Sequence, residues 1–242
     1  MRILEGKKAL ILGVANPQSI AWGVAQSFYQ QGAQIALSCA NDFLVKMVKI
    51  ISPQVGSDLV LKCDVSKDEE ISFLAKEIKE KWGELDILVH SIAFAPKDIF
   101  EKSVLETKRE SFKTAFDISV YSLIALSREF LPLMEKRKGT ILTFSYYGSQ
   151  KVIPNYNLMG PVKSALESFV RYLAFDLGKK NIRINCISPG PIKTLAASAI
   201  PGFEILLEKS KNNSALKRNV DFQDIGKLAV FLASDLSDHI TG

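Results

Sequence analysis

The sequence has little histidine, little cysteine and no long apolar run. Its two histidines and three cysteines in 242 residues form no cluster with Asp or Glu at metal-ligand spacing, so a metal centre is not expected. Cys39, Cys63 and Cys186 are scattered, odd in number and lack a redox spacing, which argues against a disulfide framework and fits a reducing compartment. No apolar stretch approaches the ~20 residues of a membrane-spanning helix. The opening residues, M-R-I-L-E-G-K-K, have neither the apolar segment nor the cleavage site of a secretory leader. The expectation is a cytoplasmic protein without membrane insertion. The net charge of +5 comes from basic residues spread along the chain. They read as solvated faces, with a docking surface for an acidic partner as the alternative, and nucleic acid is not an expected partner. No linker, repeat or low-complexity tract divides residues 1–242, so one domain is expected.

What is present is an alternation. Short apolar runs at 7–13, 35–38, 58–63, 85–90, 140–145 and 182–187 have the character of buried strands. Amphipathic stretches at 20–31, from about 41, at 67–82, within 104–135, from about 155 and at 221–234 read as helices. Repeated βα units predict an α/β fold: a doubly wound, Rossmann-type parallel sheet with helices on both faces. After Pro189-Gly190-Pro191 the chain reads as irregular.

The ends of those runs carry the candidate chemistry. The first leads into G-V-A-N-P-Q-S-I-A-W-G, which is not the G-x-G-x-x-G fingerprint. It still offers a tight turn at Gly13 and a helix start at Ser19-Ile20, where exposed N–H groups suit a pyrophosphate. Asp64 and Val65 follow the third run and Ile92 follows the fourth, both at carboxyl ends where doubly wound sheets bind ligands. Asp64 could accept from an adenine amino group or cap the helix beginning near Lys67. His90 reads as a strand-end residue, not a base. After the second run, Ser38-Cys39-Ala40-Asn41 offers neither the acidic residue that usually selects NAD nor an arginine for a 2′-phosphate. With no arginine between Arg2 and Arg109, NADH is expected over NADPH, with Lys46 and Lys49 as the groups that could reverse this.

Residues 145–163, S-Y-Y-G-S-Q-K-V-I-P-N-Y-N-L-M-G-P-V-K, stand out. Tyr156 and Lys163 are just under two helical turns apart. On a helix covering both, their side chains emerge roughly 20° apart. A phenol beside a fixed ammonium is a candidate proton donor, the cation favouring phenolate. A second pair at this spacing, Tyr172 and Lys179, runs past Gly178 and reads as coincidence.

These motifs together resemble the short-chain dehydrogenase/reductase superfamily and, within it, bacterial-type enoyl-acyl-carrier-protein reductases. The resemblance rests on S-I-A-W-G at 19–23, C-D-V at 63–65 and H-S-I-A-F-A-P at 90–96. It rests also on S-Y-Y-G at 145–148, P-N-Y-N-L-M-G at 154–160 and S-P-G-P-I-K-T-L-A-A-S at 188–198. It implies NADH-dependent reduction of a trans-2-enoyl thioester on acyl carrier protein, in fatty-acid elongation, by a homotetramer. Hydride adds to the β-carbon and charge develops on the thioester oxygen. By resemblance, Tyr156 stabilises that oxygen, Tyr146 is the second tyrosine of the site, and Lys163 holds the nicotinamide ribose. Gly13, Ser19, Ile20, Asp64, Val65, Ile92, Ile192 and Thr194 correspond to cofactor contacts. Ala95, Met159 and Ala196 correspond to substrate contacts, the last within a lid over 193–214.

The chain departs from the family pattern in three places. Ala40 stands where many members carry Gln. Pro161 falls inside the expected helix, which should begin or bend near Asn157. Members continue past the position of Gly242 with a final strand, and that strand is expected of the complete protein. Two other readings stand beside the main one. A ketoacyl reductase or alcohol dehydrogenase would use a Ser/Thr-Tyr-Lys set with Thr143 as the hydroxyl, and a dinucleotide sensor would bind without turnover.

Overall fold

The computed structural model describes residues 2–242. Its first strand, β1 (Lys8–Leu12), reads K-A-L-I-L, and the last four residues are buried, as a run without polar alternation requires. With β2 (Gln34–Cys39), β3 (Leu59–Lys62), β4 (Ile87–His90), β5 (Thr140–Phe144) and β6 (Arg183–Ile187) it forms one sheet in the order β3-β2-β1-β4-β5-β6. Every pairing is parallel. Leu12 lies opposite both Ser38 and His90, and His90 opposite Thr143, so the carboxyl ends of these strands are level. The chain runs outward from β1 in both directions, and β1 and β4 flank the point where the winding reverses. That is the doubly wound arrangement expected from the sequence.

The helices are α1 (Ile20–Gln30), α2 (Asp42–Ile51), α3 (Asp68–Trp82), α4 (Asp98–Glu101), α5 (Arg109–Phe116), α6 (Ser122–Met134), α7 (Met159–Gly178), α8 (Phe203–Asn213) and α9 (Phe222–Ala233). Alternate strand residues feed opposite layers. Ala9, Ile11, Val89 and Leu142 pack with Trp22 and Phe28 of α1 and with Ile225 and Ala229 of α9. Leu10, Leu12, Leu88 and Ile141 pack with Leu74 of α3, Phe130 of α6 and Val162 and Leu166 of α7. A π-type turn, Asp117–Tyr121, joins α5 to α6.

Two local expectations are corrected, and the one for Pro161 is met. The helix expected from about residue 155 begins at Met159, because Asn155 and Asn157 have φ of +64° and +44°, outside the right-handed helical region. Pro161 is therefore the third residue of α7, where its missing N–H removes a donor that lacks an intrahelical partner in any case. The stretch read as irregular contains α8. It buries only Phe203 among its own residues, so no apolar stripe announces it.

Candidate active site

Gly13 closes β1 with φ +88°, and a Cβ there would lie 2.0 Å from the Ser91 carbonyl oxygen. Left-handed backbone and contact with the end of β4 both require glycine. The chain then reaches Ser19, whose Oγ accepts the Trp22 N–H at 3.2 Å and donates to the Asn16 carbonyl at 2.9 Å. Ile20 opens α1 behind this cap, so first-turn N–H groups face the carboxyl edge of the sheet. Two strands away, Asp64 follows β3. Its Oδ1 accepts from the Ser66 N–H and hydroxyl at 3.1 and 2.7 Å. The first residue before α3 has no side-chain cap, so of the two roles considered for Asp64 the capping one is not realised. Val65 beside it is buried. After β2, Asn41 accepts the Leu44 N–H at 2.9 Å and caps α2, while Ala40, Lys46 and Lys49 are exposed.

Tyr146 and Tyr156 come together, but the helical face expected to be shared by Tyr156 and Lys163 does not form, because Tyr156 precedes α7. Tyr156 lies in the turn before α7, is 8% exposed, and packs against Tyr146 edge to face, centroids 5.0 Å apart. A Cβ at Gly148 would lie 2.5 and 2.8 Å from the Tyr156 ring, so the backbone of S-Y-Y-G forms a wall of that ring's slot. Met159, the first residue of α7, is buried in the same apolar cluster. Burial first, and the Tyr146 phenol second, push the Tyr156 phenol above its ordinary pKa of 10.0. Burial likewise raises Tyr146. This reverses the sequence expectation of a phenol turned acidic by an adjacent cation. Tyr156 is held protonated, as a hydrogen-bond donor.

Lys163 is buried in α7 and donates to the Phe144 carbonyl at 2.7 Å. Burial pushes its ammonium down to about 8, against the opposing influence of Cys186 and Glu167. Among the described residues it makes no hydrogen bond to Tyr156. Of the pair read as coincidence, Tyr172 is exposed, and Lys179, just past the end of α7, sits 4.4 Å over the Phe175 ring.

His90 ends β4 fully buried, with Nδ1 2.9 Å from Thr143 Oγ1 and Nε2 2.8 Å from Ser122 Oγ. The Ser122 hydroxyl donates to the Ile118 carbonyl at 2.7 Å, so it accepts from Nε2–H, and Nδ1 accepts from Thr143. Burial, then the nearby Lys163 cation, lower the imidazole pKa to about 3, so it is neutral and structural. The Thr143 hydroxyl is thereby committed inside the core.

Several positioning residues escaped the sequence reading. Glu167 Oε1 accepts from the hydroxyls of Ser145 and Ser149, the latter at 2.6 Å, and so ties the tyrosine loop to α7. Ser119, buried in the π-type turn, exchanges hydrogen bonds with the Phe94 N–H and carbonyl, each 3.0 Å. It thereby anchors the loop that holds Ile92 and half-buried Ala95. The one sequence signal was spacing: Glu167 lies one turn beyond Lys163. On the far side, Ile192 packs partly buried against the core. Thr194 Oγ1 accepts the Ala197 N–H at 3.0 Å, and Ala196 is exposed.

The candidate residues therefore lie along one edge of the sheet, from β3 to β6. At ~4.8 Å per strand that is a line of about 24 Å, the dimension of an extended ligand. A dinucleotide fits the chemistry of this line. An open helix end faces the edge at Ser19-Ile20, and the Lys163 ammonium has one protein acceptor for its three N–H donors, leaving two for hydroxyls. A cleft of about 340 Å³ beside Tyr156 is lined by Val104, Val152 and Ile153. A second cavity, about 190 Å³, lies at the opposite end of the strands. There Arg137 pairs with Asp86 at 2.9 Å and Lys7 with Asp235 at 3.1 Å. None of the candidate residues faces it.

Comparison with known proteins gives a consistent picture. The family model described as "Enoyl-(Acyl carrier protein) reductase" matches residues 13–242. The enoyl-[acyl-carrier-protein] reductase [NADH] FabI of Aquifex aeolicus is 57% identical over 242 residues, covering 100% of this chain and 90% of that protein. A crystal structure of the NADH enoyl reductase from that organism superposes with a TM-score of 0.96 at 56% identity, over 99% of this chain and 93% of the other. The Anaplasma phagocytophilum enoyl reductase, crystallised with NAD, gives 0.95 at 43%, over 99% and 91%. That of Bacillus cereus, crystallised with NADP+ and indole naphthyridinone, gives 0.96 at 40%, over 100% and 94%.

Proposed function

The chain belongs to the enoyl-(acyl carrier protein) reductase family, and on that premise we propose how Tyr156, Tyr146 and Lys163 divide the work of reducing a trans-2-enoyl thioester. The activity is NADH-dependent reduction of enoyl-acyl-carrier-protein, a step of fatty-acid elongation. NADH, when bound, supplies the hydride that adds to the β-carbon. Gly13, Ser19 and Ile20 hold its pyrophosphate side, Asp64 and Val65 its adenine, and Ile92, Ile192, Thr194 and Lys163 its nicotinamide half. The two free N–H donors of Lys163 suit the ribose hydroxyls.

Negative charge develops on the thioester oxygen. Tyr156, kept protonated by burial, donates a hydrogen bond there, strongest where the charge is largest. Tyr146 packs against that ring and limits its rotation. Ala95, Met159 and Ala196 contact the acyl thioester. The observation that carries this reading is the packed pair of a buried Tyr156 and a half-buried Tyr146, together with a Thr143 hydroxyl already committed to His90. A ketoacyl reductase needs a free hydroxyl from that threonine, and a mere sensor needs no buried phenol packed against a second one. Cofactor oxidation should be fast with crotonyl thioester and slow with a 3-ketoacyl thioester. Tyr156→Phe should lower kcat by ~10²–10³-fold with less change in KM. Preference for the ketoacyl substrate would refute the assignment.

We further propose that residues 1–242 act as one NAD-binding unit in a cytoplasmic homotetramer. No helix among the described residues is long and apolar enough to cross a membrane. The family resemblance implies the tetramer, and Phe169, Tyr172 and Phe175 supply an exposed apolar strip along α7 to support it. Light scattering of the complete protein should give four subunits, and a monomer would end the idea.

A further inference from the structure

Tyr156 stands in the sequence N-Y-N. Backbone at +64° and +44° would explain asparagine or glycine at 155 and 157, but the side chains do more than permit the turn. Asn157 Nδ2 donates to the Ile99 carbonyl at 2.9 Å and to the Lys102 carbonyl at 2.8 Å. It thus occupies carbonyls at the C-terminus of α4, which a four-residue helix leaves unpaired. Asn155 Nδ2 donates to the Pro201 carbonyl at 2.8 Å, just before α8. The turn bearing the phenol is therefore pinned to the segment after β4 on one side and to the segment entering α8 on the other. Gly148 and Tyr146 confine the ring, while the turn sets where its Cα sits. Asn157 also lines the cleft beside Tyr156.

We propose that Asn157 is a positioning residue for Tyr156: its carboxamide, held on the Ile99 and Lys102 carbonyls, sets the turn that aims the phenol. The inference rests on the reading of Tyr156 as the donor to the thioester oxygen. A displacement of about 1 Å at such a donor costs up to ~10²-fold in rate, whereas cofactor grip, which belongs to Lys163 and the edge loops, is left intact.

Two substitutions test this. Asn157→Gly keeps the left-handed backbone and removes the donor. Asn157→Asp keeps shape and backbone preference but turns carboxylate oxygens on two carbonyls. Each should lower kcat with crotonyl thioester by ~10–100-fold and leave the KM for NADH within about twofold. Repeated in the Tyr156→Phe background, each should cost less than about twofold, because there is no phenol left to aim. Equal losses in both backgrounds, or unchanged kcat in Asn157→Gly, would overturn the proposal. A readout independent of turnover is the Tyr156 ring signal in spectra of ¹³C-tyrosine-labelled protein, assigned by its loss in Tyr156→Phe. It should shift or broaden in Asn157→Gly, and an unmoved signal counts against positioning. If the unsubstituted protein reduces no enoyl thioester, the enoyl reductase reading fails, and the ring signal still decides whether Asn157 places Tyr156.

Discussion

Replacing Lys163 by Met should separate stability from function. The ammonium is buried and its pKa is pushed down from the ordinary 10.5 to about 8, which corresponds to about 3 kcal/mol of strain on the folded state at pH 7. Methionine fills similar space without charge, but it strands the Phe144 carbonyl, which now accepts from Nζ at 2.7 Å. An unsatisfied buried acceptor costs about 1–3 kcal/mol. The two terms nearly offset, so at pH 7 the variant should match the parent or exceed it by up to ~2 kcal/mol. The pH dependence is the sharper measure. Below pH 8 the folded parent carries the full penalty. Between about 8 and 10.5 the folded lysine is neutral while the unfolded one still binds its proton, so the parent's stability rises relative to the variant, by about 3 kcal/mol in all. Of the groups beside it, Cys186 is pushed up to about 12 by burial and does not titrate in this window. Urea unfolding of both proteins without cofactor, from pH 7 to 10, reads the difference directly. The variant should also lose NADH-dependent turnover. A stability gap that stays constant across this range would refute the buried-cation account of Lys163.

Two further outcomes follow from the site. Gly148→Ala would drive a methyl to within 2.5 Å of the Tyr156 ring, so kcat should fall at least about tenfold with little change in the KM for NADH; an unaltered kcat would mean the ring has room to spare. In hydrogen exchange without ligand, residues 193–214 should exchange faster than β5, because α8 buries only Phe203 while every residue of β5 is buried. Equal protection would remove the lid.

The apolar runs determined the sheet. A strand buried on both faces has no polar alternation, and six such runs separated by amphipathic stretches admit little besides a doubly wound parallel sheet. The lack of an arginine after β2, the tight turn at Gly13 and the Tyr156–Lys163 spacing were equally open to reading, since each is a property of residue type at short range. Tertiary structure decided the rest. Tyr156 left the helix because its two asparagine neighbours hold left-handed backbone, bonded to carbonyls at Ile99, Lys102 and Pro201 that are distant in sequence. Thr143 lost its candidacy as a catalytic hydroxyl only through His90, brought opposite it by strand register. The phenol's protonation was misjudged from sequence for the same reason. A nearby cation is visible as spacing, but desolvation depends on which groups pack around the ring, and Tyr146 and Gly148 close that slot only after β5 and α7 have docked.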